Sequence, residues 1–168
     1  MNNSSQSNDS GSGAEESSAL VRKLTRDILD KIREPFKIKE VEKKYPFNYL
    51  ESMNSVLLQE LARYNTLIDI IRESLNVLLM TLEGKLVFNA ETDELLTSIK
   101  NNMIPEKWKK KSYPSMKPLL GYIEDLRKRL SVFEEWIEKG KPNCFWISGF
   151  FFTQSFLTGV KQNYARKN

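Results

Sequence analysis

Between Tyr49 and Leu82 runs an uninterrupted amphipathic stripe, and no other feature narrows the possible folds as far. Met53, Val56, Leu57, Leu61, Tyr64, Ile68, Ile71, Leu75, Leu78, Leu79 and Leu82 recur at spacings of three and four, with no proline or glycine among them. That period belongs to one broad face of an α-helix. At roughly 1.5 Å per residue the helix is about 50 Å long. Glu60, Arg63, Asp69, Arg72 and Glu73 lie off the stripe, and Gly84 follows at once as a helix C-terminal cap. Propensity alone does not hold so long an apolar face in water, so other helices have to cover it.

The rest of the sequence supplies those helices. Residues 1–18 are nearly all Ser, Asn, Gln, Gly and acidic, a composition that cannot offset its ordering entropy and reads as a disordered tail. From Ala19, Leu20, Leu24 and Ile28 recur every fourth residue, with Val21 and Ile32 on adjoining faces; Pro35 stops this helix. Lys37 to Tyr45 forms a short helix that Pro46 closes. Leu86-Val87-Phe88 is a short apolar run, read as an extended segment. Thr92 is placed to N-cap a helix carrying Leu95, Leu96 and Ile99. Residues 101–118 are irregular and basic, punctuated by Pro105, Pro114 and Pro118. A second long helix then runs from Leu119 to Glu138 on a stripe of Leu119, Ile123, Leu126, Leu130, Phe133 and Ile137. Glu124 with Lys128 and Asp125 with Arg129 are i,i+4 pairs expected on its wet side. A last helix starts at Gly149 or Phe150 and reaches Arg166. No sustained period-two alternation occurs. The expected fold class is all-α: a bundle of two long amphipathic helices with shorter ones against them.

Composition removes most chemistries. The sequence has no histidine, which excludes a Ser-His-Asp triad, a Cys-His pair and a His-ligated zinc. A single cysteine, Cys144, excludes a disulfide framework and a Cys-cluster metal site. No GxGxxG or GxxxxGK[ST] loop is present to cradle a phosphate. No secretory signal pattern opens the sequence, and no stretch reaches the roughly 18 apolar residues of a membrane helix. The lone thiol suits a reducing intracellular compartment. These features predict no catalytic, metal or cofactor residue in the protein and no membrane partner.

Four places carry other candidates. Lys107-Trp108-Lys109-Lys110-Lys111 could contact phosphates with Trp108 stacking on a base; the competing reading, a solvated loop with Trp108 packed inward, is preferred because the remaining charge is mixed in sign. Glu134 and Glu138 share a helix face, but a solvated face explains them better than paired acid–base carboxylates. Cys144 is expected to be a buried small hydrophobe rather than a reactive thiol. The fourth place is Phe145 to Leu157, where five of thirteen residues are phenylalanine and Trp146 is a sixth ring. One helix face cannot hide them all. Phe145, Phe152 and Phe156 are expected to point into the bundle, with Phe150 and Phe151 facing elsewhere. Each large ring left in water forgoes roughly 1.5–3 kcal/mol of burial, so a partner surface or further polypeptide covers them, or else a compact core takes them all. Trp146, Phe150, Phe151, Phe152 and Phe156 are the candidate partner-contact residues.

Taken together, these blocks resemble the first half of the C-terminal domain of a dynein heavy chain. Asp27-Ile28-Leu29 with Pro35-Phe36 is similar to the opening helix and its proline stop in that family. Lys44-Tyr45-Pro46, then Glu51-Ser52-Met53-Asn54, Val56-Leu57 and Gln59-Glu60, resembles the start of its long helix. Ile104-Pro105, Trp108 and Lys111-Ser112-Tyr113-Pro114-Ser115-Met116-Lys117-Pro118-Leu119 resemble its loop. Phe145 to Thr153-Gln154, Phe156-Leu157-Thr158-Gly159 and Gln162-Asn163-Tyr164-Ala165-Arg166-Lys167 resembles its aromatic-rich block, in the axonemal form more than the cytoplasmic one. The likeness covers residues 19–168. It departs at Lys37, where the family usually has an acidic residue, and at Glu83, where it has hydrophobic or small ones.

The resemblance implies a helical fragment of a minus-end-directed microtubule motor, packing on its AAA+ ring as a structural and regulatory element. It implies that the β-rich remainder of the domain, the AAA+ modules with their ATP and magnesium sites, and the stalk that meets microtubules lie outside this sequence. The implied partners are the rest of the heavy chain and other dynein subunits, in the cytoplasm, the cytoskeleton and the axoneme of a cilium or flagellum. Two rival readings remain open here: a stand-alone helical adaptor for a protein partner, and a nucleic-acid binder through Lys107 to Lys111.

Overall fold

The computed structural model describes residues 10–167. Seven α-helices follow in order among them: α1 (Ser10–Lys31), α2 (Ile38–Lys44), α3 (Ser52–Leu82), α4 (Ala90–Lys100), α5 (Glu106–Lys109), α6 (Leu119–Lys139) and α7 (Thr153–Lys167). A single 3-10 turn, Ile147–Gly149, precedes α7. No strand occurs among the described residues, so the fold is all-α as expected.

α3 is the axis of the molecule. Leu57, Leu61, Tyr64, Leu67, Ile68, Ile71, Leu75 and Leu78 are all at 0% exposure, because α1, α2, α4, α5, α6 and α7 each pack on it. Gly84, at φ +75°, ends it in the left-handed conformation that costs glycine least. The amide of Lys85 donates to the Met80 carbonyl (2.9 Å) and that of Gly84 to Thr81 (3.0 Å), the paired bonds that close a helix C-terminus. α6 presents Leu119, Ile123, Leu126, Leu130 and Phe133 to this core, joined by Tyr122 and Trp136.

Helix ends are closed largely by side chains from elsewhere. Arg22 of α1 donates to the Leu82 carbonyl at the end of α3 (3.0 Å), and Arg72 of α3 to the Ile32 carbonyl just past α1 (2.8 Å). Lys44 of α2 donates to the Ile137 and Glu138 carbonyls at the end of α6. The start of α6 is met by Asn102, whose backbone and side-chain oxygens accept from the amides of Leu119 (2.9 Å) and Leu120 (3.0 Å) respectively. These bonds satisfy groups that no helix can satisfy within itself.

Several local expectations need correction. α1 begins at Ser10 rather than Ala19; residues 1–9 of the expected tail lie outside the described residues. Its inward face is Val21, Thr25 and Ile28, continued by Ile32 just past its end, and Leu20 is exposed. Thr25 can sit inside because its hydroxyl donates to the Val21 carbonyl (2.7 Å). The N-cap of α4 is Asn89, not Thr92: Asn89 accepts from the Thr92 amide and Thr92 accepts from the Asn89 amide, both at 2.9 Å, in a reciprocal capping box. Leu86-Val87-Phe88 crosses the surface unpaired and exposed. α7 starts at Thr153, because the 3-10 turn occupies the place where the helix was expected to begin.

Candidate docking face

The aromatic segment is laid onto α3 by two glycines and two polar anchors. A Cβ on Gly149 would meet the Trp146 ring at 2.7 Å, and one on Gly159 would meet Val56 Cγ2 at 2.8 Å. The first lets the turn fold under its own tryptophan; the second lets α7 lie directly against α3. Tyr64, fully buried in α3, donates its hydroxyl to the Gly149 carbonyl (2.6 Å). Burial pushes the Tyr64 phenol well above its ordinary range, so it stays a neutral donor. Glu60, also at 0% exposure, accepts from the backbone amides of Phe151 and Phe152 (3.1 Å for the latter) and pairs with Arg63 at 3.0 Å.

The rings sort into two sets around these anchors. Phe150 (3% exposed) and Phe156 turn inward, with ring centroids 4.6 Å apart. Phe150 meets Phe133 edge-on at 5.5 Å, and Phe145, half-buried, meets Trp136 at 5.2 Å. Phe151 is half-buried and edge-on to Tyr64 at 5.2 Å. Trp146 (39%) and Phe152 (48%) face outward. The orientations of Phe150 and Phe152 are therefore the reverse of those expected from the sequence. Of the five candidate contact residues, Phe150 and Phe156 offer no surface, Phe151 offers an edge, and Trp146 and Phe152 offer rings.

Two flanks of α7 extend this outward set. On one side an open groove of about 270 Å³ runs between α3 and α7, with Phe47 and Phe152 as its aromatic walls and Gln59, Thr158 and Gln162 among its polar lining. On the other side Leu157 and Val160 stand exposed, as does Ile147 in the turn. The charge is one-sided as well. Residues 141–168 contain Lys141, Lys161, Arg166 and Lys167 and no acidic residue, so 1–140 is balanced at 22 basic and 22 acidic. The whole excess of +4 belongs to this segment.

Beneath Trp146 lies a polar knot that the sequence did not announce. Asp125, expected on the wet side of α6, is buried and bonded to Lys117 (2.7 Å) and Arg129 (2.8 Å). Burial works to raise the Asp125 carboxyl, but its bonds to Lys117 and Arg129 outweigh this and hold it below the usual carboxylate range. Arg129 in turn lies 3.8 Å from the Tyr113 ring centroid and 5.6 Å from that of Trp146.

The remaining candidates are placed as follows. Trp108 is packed inward, donating to the Ser74 hydroxyl (2.8 Å), while Lys107 pairs with Glu91 and Lys109 with Glu106. Glu134 faces Arg33 at 3.5 Å rather than Glu138. Cys144 is exposed, not buried, because the backbone runs across the surface between the end of α6 and the turn. No helix among the described residues is long and apolar enough to cross a membrane.

The class these features define is an all-α bundle that carries outward-facing rings at Trp146 and Phe152. A family model for the C-terminal domain of dynein heavy chains matches residues 1–168, and the protein belongs to that family. It is 51% identical over 158 residues to dynein axonemal heavy chain 3 of Mus musculus, an overlap of 94% of this chain and 4% of that protein. It is 47% identical over 158 residues to dynein axonemal heavy chain 1 of Rattus norvegicus, again 94% and 4%. With dynein axonemal heavy chain 12 of Homo sapiens it shares 47% over 148 residues, 88% of this chain and 5% of the relative. The sequence thus spans only about one twenty-fifth of the length of the first two relatives.

Proposed function

We propose that this chain is a docked helical element of an axonemal dynein heavy chain, packing on the AAA+ ring of a minus-end-directed microtubule motor in a cilium or flagellum. Its role is structural and regulatory. ATP hydrolysis, with its magnesium, belongs to the AAA+ modules and microtubule contact to the stalk; no Walker motif occurs in these 168 residues. Other dynein subunits are reached through the assembled motor.

One observation carries the reading: Trp146 and Phe152 stay 39% and 48% exposed in a segment whose neighbouring rings are core. Large rings in water, beside exposed Leu157 and Val160, form the kind of patch that marks a protein contact. The basic excess of 141–168 fits an acidic partner surface, with Lys141 already paired to Glu51 at 2.7 Å.

The test uses the AAA+ portion of mouse axonemal dynein heavy chain 3, prepared without its own C-terminal domain and titrated with this protein. The expected result is saturable binding that weakens with added salt and falls about tenfold in Trp146→Ala, with ATPase activity of the 168-residue protein alone at background. Absence of binding, or turnover by the isolated protein, overturns the proposal.

A further inference from the structure

A carboxylate at 0% exposure in the middle of α3 demands an explanation, because a buried charge is tolerated only when its hydrogen-bonding capacity is met. Glu60 has three partners among the described residues, and two of them are backbone amides of Phe151 and Phe152, ninety-one and ninety-two residues away. The third is Arg63, one turn along α3. Glu60 is therefore satisfied only while residues 151–152 remain where they are. The two amides stand immediately ahead of α7, where a helix's own dipole also favours negative charge.

This clamp settles which of three consecutive phenylalanines faces outward. With both amides held, Phe151 lies edge-on to Tyr64, and Phe152 projects outward with the Arg63 guanidinium 5.0 Å from its ring centroid. Arg63 thus serves twice, as counter-ion to Glu60 and as a backing for the exposed ring. A ring fixed before contact loses less freedom on docking. We infer that Glu60 is a positioning residue that holds Phe152 as a pre-formed anchor for the remainder of the heavy chain, an inference that rests on the docking reading above.

The variant to compare is Glu60→Gln. It keeps the shape, and its single carbonyl oxygen stays with Arg63 and the Phe152 amide, which share Glu60 Oε1, so the NH2 group faces the Phe151 N–H and that backbone bond is lost. Each variant is titrated into the same AAA+ portion. Phe152→Ala is expected to weaken binding about tenfold and Glu60→Gln about fivefold, with the double variant no weaker than Phe152→Ala alone. In parallel, proton NMR of Glu60→Gln is expected to show the Phe151 amide released from its bond and the Phe152 ring shifted relative to Arg63, while the contacts of Leu67 and Ile71 persist. Wild-type affinity in Glu60→Gln beside a weakened Phe152→Ala overturns the positioning role and leaves docking intact. Independent, multiplying losses in the double variant make Glu60 merely structural and overturn it too. If even the unaltered protein does not bind, the docking reading falls, and with it the anchor for which Glu60 positions the ring.

Discussion

The middle of α3 and the segment from Phe145 to Lys167 are both rich in large apolar side chains, yet they end up differently. From Leu61 to Leu78 the helix's inward positions are dry, because six other helices close over one regular stripe. In the aromatic segment Phe150 and Phe156 join that core, Phe145 and Phe151 lie half-buried against it, and Trp146, Phe152 and Tyr164 remain at the surface. The lesson concerns spacing more than hydrophobicity. Residues at intervals of three and four share one direction and can be covered together, whereas three phenylalanines in a row point three ways.

The largest expected effect lies on the dry side. Trp108→Ala removes a fully buried indole and leaves the Ser74 hydroxyl without its donor. We expect a loss of about 3–5 kcal/mol in denaturant unfolding; a loss near that of a surface substitution would show that α5 is peripheral to the core. Intermediate effects belong to the seam between the two regions. In Gly159→Ala the added methyl meets Val56 at 2.8 Å, which predicts a loss of about 1–3 kcal/mol. Combining it with Val56→Ala is expected to recover part of that loss, and failure to recover any would move the strain elsewhere. The smallest effect is expected at the wet edge, where Leu157→Ser with Val160→Ser changes stability by about 0.5 kcal/mol or less. A melting temperature that falls as far as for Gly159→Ala would erase the distinction between the two regions.

Much of this architecture is legible in the residues. The α3 stripe, its Gly84 cap, the break at Pro35 and the α6 face each follow from a local period or a local stop signal, and the structure places them close to where those signals do. The family is legible in the same blocks. Glu60 is not. On α3 it looks like any polar residue off the stripe, and two of its three donors are backbone amides, which nearly every sequence position possesses. Asp125 misleads for a related reason: an i,i+4 acid–base pair reads as a wet helix face, but the Lys117 that helps to bury it comes from the preceding loop. The outward setting of Phe152 follows from the Glu60 clamp inferred above, and the exposure of Cys144 from the course of a connecting segment, so neither has a periodic signature. Asn89 was findable, since an Asn three residues before a Thr is a capping-box spacing.

The way the helix ends are closed has a consequence for how the molecule comes apart. Arg22 of α1 holds the Leu82 carbonyl of α3, Arg72 of α3 holds the Ile32 carbonyl beyond α1, and Lys44 of α2 holds the Ile137 and Glu138 carbonyls of α6. Fraying at any of these termini withdraws an acceptor from a neighbour, so amide exchange there follows the opening of the whole scaffold instead of each helix unwinding by itself.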